Sequence, residues 1–106
     1  LMLNEDDFQN GYDPELMLAV ERFEEMQQNK GHYFFESDEL EEIFDYYYHQ
    51  GHIDQASLVA EYGILQNPYS ANFFVKRAQV CMSHGKFDDA MEQLNQAEIF
   101  EPTNYE

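Results

Sequence analysis

Residues 48–56, YHQGHIDQA, are answered 34 residues later by residues 82–90, MSHGKFDDA. Gly51 aligns with Gly85, Asp54 with Asp88, Ala56 with Ala90, and apolar Ile53 with apolar Phe87. The same offset carries Gly63 to Ala97 and Pro68 to Pro102. A turn glycine and a turn proline repeated at one fixed distance indicate a supersecondary unit written twice.

Each unit reads as a helical hairpin. Leu40, Ile43, Phe44 and Tyr47 stand at i, i+3, i+4 and i+7, the apolar stripe of a helix that Ser37 or Glu36 caps and Gly51 ends. A further helix runs from about Asp54 to Gln66 and stops at Asn67-Pro68, because proline cannot continue a helix and disfavours helical geometry before it. The second unit repeats the plan: a helix over 71–84 with Phe74, Ala78 and Cys81 inward, Gly85 as breaker, and a helix over 87–100 followed by Pro102. One such hairpin cannot bury its apolar face alone. A second copy stacked in register buries it.

Upstream, Asp13-Pro14-Glu15 reads as a helix start, with Asp as cap and Pro at the first helical position. Leu16, Ala19, Val20, Phe23 and Met26 follow at helical spacing, and Gly31 is expected as the left-handed cap. Residues 32–36, HYFFE, read as an extended connector whose rings pack under their neighbours. Residues 1–12 are acidic, hold the turn dipeptide Asn10-Gly11, and are expected as a loose leader. No stretch alternates with strand period, so the chain is expected to be all-α.

The repeat resembles the tetratricopeptide family. The resemblance covers residues 37–104. In the second copy Phe74, Ala78, Cys81, Gly85, Ala90, Leu94, Ala97 and Pro102 stand at the family's signature positions; in the first copy Leu40, Tyr47, Gly51, Ala56 and Pro68 do. The first copy departs at Phe44, large where the family is small, and at Ala60, small where it is large; Gly63 replaces an alanine. A size swap is expected, Phe44 filling the space left by Ala60 and Gly63. The resemblance implies two hairpins, residues 37–70 and 71–104, stacked as a right-handed superhelix (an α-solenoid), with an extra N-terminal helix and connector over 13–36. The stretch from Phe23 to Ala56 also looks like the start of longer bacterial proteins of this family. The chain is then expected to be part of a longer array, with an open repeat end through which a homodimer can form.

By the same resemblance, the first helix of each hairpin lines a concave groove that holds a peptide. Its facing residues are Asp38, Glu41, Asp45, Tyr48 and His49 in the first copy, and Asn72, Val75, Gln79, Met82 and Ser83 in the second. One end is acidic and aromatic, the other neutral and apolar. Glu41 and Asp45 stand where one variant of the family uses Lys and Asn to clamp acidic peptide tails, so such tails are excluded and a basic or basic-aromatic segment is expected. Tyr46, Tyr47 and Tyr48 offer ring faces to Lys or Arg, with Tyr47 also a core candidate.

Charge and composition restrict the alternatives. The chain has 22 acidic and 5 basic residues in 106, a formal net charge of −17, which repels nucleic-acid backbones and anionic membranes. Residues 1–61 carry 16 acids and 2 bases, residues 62–106 carry 6 acids and 3 bases, so a basic partner is drawn to the first half. At 43% hydrophobic and 16% aromatic the chain is too apolar for a disordered acidic tail. The single cysteine, Cys81, excludes an internal disulfide and suits a reducing, cytoplasmic location. No 18-residue apolar run or signal-type start is present. Glu41, Asp45 and His49 share one helix face, with His52 past the turn, but no recognised metal motif surrounds them, and no metal or other cofactor is expected. No nucleophile elbow, phosphate loop or zinc-protease motif appears, and the expected role is non-catalytic. Two functions remain: a protein-interaction scaffold holding a basic segment in an acidic groove, or an assembly element that stacks on further helices or on a second copy.

Overall fold

Asp13 opens the first helix as its side chain accepts a hydrogen bond from the Glu15 amide at 3.0 Å, with Pro14 in the first turn. The structure, a computed structural model, describes residues 12–31 and 33–102. The expected leader, apart from Tyr12, lies outside the described residues, as do His32 and the last two residues of the second expected repeat. Five helices and no strand occur among the described residues: α1 Pro14–Gln27, α2 Ser37–His49, α3 Ile53–Gln66, α4 Ala71–Ser83 and α5 Phe87–Phe100. The fold is all-α, as the periodicity predicts. No helix among the described residues is long and apolar enough to cross a membrane.

Both bounds of α2 and of α3 recur 34 residues later in α4 and α5. The turns repeat as closely. After α2 the Gly51 amide bonds the Tyr48 carbonyl at 3.1 Å and the His52 amide bonds the Tyr47 carbonyl at 2.9 Å. After α4 the Gly85 amide bonds Met82 at 3.0 Å and the Lys86 amide bonds Cys81 at 2.9 Å. This double closure needs a left-handed residue just past the helix, and Gly51 and Gly85 supply it at φ 82° and 73°. Glycine adopts that conformation without the Cβ clash.

α1 ends by the same device, but not at Gly31. Asn29 is the left-handed residue, at φ 60°, with the Lys30 amide bonded to the Glu25 carbonyl at 2.9 Å. Asparagine is tolerated in this conformation, so the left-handed residue sits two positions before the glycine and the helix ends at Gln27. The buried stripe of α1 is also rotated from the expected one. Met17, Ala19, Val20 and Phe23 are buried, whereas Leu16 and Met26 are half-buried. Leu16, Met17 and Leu18 are consecutive apolar residues, and only packing selects among them.

The chain divides within α2 into two compact units, Leu1–Ile43 and Phe44–Glu106. In the first, Phe35 is buried and meets Phe23 edge-on at 5.7 Å. Arg22 lies over the Phe35 ring at 5.6 Å and pairs with Glu39 at 2.8 Å. The Tyr33 hydroxyl donates to Glu25 at 2.8 Å. Phe34 departs from the expected packing of the connector rings, being 73% exposed: along extended backbone, neighbours point to opposite faces, and Phe35 takes the inner one. Leu40 and Ile43 are fully buried.

In the second unit α4 packs against both α3 and α5. Phe44, Tyr47, Val59, Ala60 and Phe73 are fully buried, and Ala71, Phe74 and Ala97 form a smaller cluster joined by Ile64 and Phe100. The space left by Gly63 is taken by Phe73, which the repeat pattern does not single out. A Cβ on Gly63 would lie 2.6 Å from Phe73 Cγ, and nearer still to two other ring atoms. Cys81, expected inward, is half-buried.

Candidate functional site

The residues expected to face a groove are distributed over both units. Asp38 and Glu41 lie in the first unit, Asp38 exposed and Glu41 half-buried. The other eight lie in the second, on the end of α2 and along α4. On α4, Asn72, Val75, Gln79 and Met82 follow at +3, +7 and +10 and share one outward face. All four are exposed, Val75 at 40% and Met82 at 52%. The opposite face of α4 carries Phe73, Phe74, Ala78 and Val80 into the core. Helical period thus separates a packing face from an accessible one.

The end of α2 is tied to α4 by three polar contacts. The Tyr48 hydroxyl is 2.9 Å from Ser83 Oγ and donates to the Gln79 carbonyl at 3.5 Å. Lys76 Nζ reaches Asp45 Oδ1 at 3.2 Å. The same ammonium lies 4.9 Å over the Phe44 ring, and Tyr48 stacks on Phe44 at 5.5 Å, 16° from parallel. His49 is exposed at the end of the seam, its ring edge-on to Tyr48.

These contacts revise the expected chemistry in two ways. Asp45 is compensated by Lys76, so the second unit's part of the surface is less acidic than the groove residues alone suggest. Tyr46 and Tyr47 are buried, with Tyr46 at 4% exposure and Tyr47 at 0%. Of the tyrosine triplet only Tyr48 offers a surface to a partner, and its hydroxyl is already engaged. Sequence reasoning missed Lys76 and the pinning role of Ser83. The signal was the spacing: Lys76 follows Asp45 by 31 residues and Ser83 follows Tyr48 by 35, each within one helical turn of the 34-residue offset.

Glu41, Asp45 and His49 do not gather with other ligands, and no group of three or more His, Cys, Asp or Glu able to hold a metal ion occurs among the described residues. Cys81 lines a depression of about 360 Å³ with Arg77, His84, Lys86, Asp54, Glu61 and Asp89, in which cationic and anionic groups are mixed. No protein-family model, curated protein or solved structure matches this chain.

Proposed function

We propose that this chain is a non-catalytic protein-interaction scaffold of tetratricopeptide type, and that the exposed face of α4 with the end of α2 holds a peptide segment of mixed apolar and basic character. The observation that carries the reading is the accessible line Asn72, Val75, Gln79 and Met82, which leaves two large apolar side chains uncovered on an otherwise well-packed helix. Val75 and Met82 would receive apolar anchors; methionine adapts readily to varied partners. The Asn72 and Gln79 amides would bond a peptide backbone. The net charge of −17 favours a cationic partner at long range.

The test is fluorescence anisotropy with labelled peptides that alternate Lys or Arg with Phe or Leu, against acidic peptides of equal apolar content. The basic peptides should bind, weakening several-fold as salt rises from about 50 to about 500 mM, and Met82→Lys with Gln79→Lys should abolish binding. Equal binding of acidic and basic peptides would remove the charge argument; binding unaffected by the double variant would remove the site.

The assembly reading is favoured by a separate observation. α5 exposes Phe87 at 63%, Met91 at 55% and Ile99 at 67%, a concentration of apolar surface of the kind that marks interaction faces. Light scattering across concentration and salt tests it: apolar stacking holds at high salt.

A further inference from the structure

The α4–α5 hairpin keeps one side open. Ala71, Val75, Leu94 and Ala97 line a depression of about 530 Å³ together with Asn72, Glu98, Glu101 and Pro102. The depression is continuous with a buried interface, since Ala71 and Ala97 also belong to the cluster with Phe74, Ile64 and Phe100.

The internal repeat shows what shape fits there. α4 lies on α3 with Phe73 over Gly63. The counterpart of Gly63, 34 residues on, is Ala97, which lines the open depression. α5 therefore presents at the open side the face that α3 presents to α4, and the matching occupant is an α-helix. It is not a helix of α4's own sequence. Phe73 seats on α3 because Gly63 has no Cβ; Ala97 has one, and a ring held as Phe73 is would collide with it. The occupant needs a small residue at that point.

Charge selects the next residue. Ile64, on α3, packs against the cluster that includes Phe74. Its counterpart on α5 is Glu98, exposed, with Glu101 three residues on. An apolar ring suits Ile64, whereas a cation suits Glu98. A second copy of this chain is a poor occupant. It brings 22 acidic against 5 basic residues, and α2, aligned as α4 is, would place Glu39 at the Phe73 position.

We propose that the open α4–α5 face binds a cationic amphipathic α-helix of another polypeptide, with a small residue over Ala97 and a Lys or Arg directed at Glu98 and Glu101. This deepens the assembly reading; the depression shares Asn72 and Val75 with the proposed groove on α4, while Gln79 and Met82 do not line it.

The probe is a peptide with the sequence of residues 71–83 carrying Phe73→Ala and Phe74→Lys, held helical by a hydrocarbon link between positions 75 and 79, which face outward on α4. It should bind the whole chain at least about fivefold more tightly than the linked parent peptide, and more tightly than a version with Phe74→Glu. Leu94→Glu and Glu98→Lys in the protein should each weaken it about tenfold, while Gln79→Lys in the groove should not. Both end-face variants alter exposed side chains, and an unchanged circular dichroism melt verifies that they fold. Equal binding of the three peptides, or binding indifferent to Leu94→Glu, would overturn the proposal. A doubled solution mass abolished by Leu94→Glu would also overturn it, because the occupant would then be a second copy, although the assembly reading would survive.

Discussion

Gly63 of α3 lies directly beneath the ring of Phe73 of α4, which occupies the space a side chain at residue 63 would need. Gly63→Ala gains about 1 kcal/mol of helix propensity but overpacks a full ring at a cost of about 1–3 kcal/mol. The net should be destabilising in a urea titration. Phe73→Ala alone should cost about 3–5 kcal/mol. The combined variant should be less damaged than the two losses added, and a strictly additive result would show that the two positions do not compete for one space.

Gly51 and Gly85 close equivalent turns at φ 82° and 73°. Nothing lies within 4 Å of where a Cβ would be at either, so alanine is opposed only by backbone conformation. Gly51→Ala and Gly85→Ala should each lower stability by about 1–2 kcal/mol. Asn29→Gly, at the third left-handed position, should not destabilise. Equal stability of the alanine variants and the parent would refute the left-handed assignment.

Phe44 is fully buried, stacked on Tyr48 and capped by the Lys76 ammonium. Phe44→Ala should cost about 3–5 kcal/mol, and a loss below about 1 kcal/mol would mean that the ring is not a core anchor. Asp45→Asn should cost under about 1 kcal/mol, because the carboxylate that pairs with Lys76 is 53% exposed. That small loss should shrink further at high salt.

Tyr33 donates its hydroxyl to Glu25. That hydrogen bond, then burial, then the Glu25 charge raise the phenol's pKa above the ordinary tyrosine value. The folded-state pKa exceeds the unfolded one, so the contribution to stability is fully present below the unfolded pKa. It is lost as pH rises through the folded value. Following the Tyr33 ring carbon by NMR across alkaline pH should show late titration, and Glu25→Gln should return it toward the ordinary range. Titration unchanged by that variant would rule out Glu25 as the cause.

The helices themselves were legible because their causes are local. Asp13-Pro14 starts a helix, glycine ends two, and Pro68 follows another at fixed spacing, so α3, α4 and α5 lie within a residue of their expected bounds. The Leu40, Ile43, Phe44 and Tyr47 stripe is buried as its period predicts. Residues 72, 75, 79 and 82 were named through the family resemblance rather than by local signals, and all four are exposed on α4. The candidate site was less legible where it depends on distant partners. Nothing near Asp45 in the chain announces Lys76, and although the apolar stripe marks Tyr47 as core, nothing in YYY sets buried Tyr46 apart from half-buried Tyr48.

The all-α class, the hairpin turns and the 34-residue period can be read along the chain, since each follows from backbone preferences within a few neighbouring residues. Tertiary structure alone decided that Asn29 rather than Gly31 closes α1, that Met17 rather than Leu16 is buried, and that Phe73 rather than Phe44 fills the space over Gly63. It also decided that Asp45 is compensated by Lys76. Those outcomes depend on which surfaces meet across the fold, where volume and charge are matched between residues far apart in the chain.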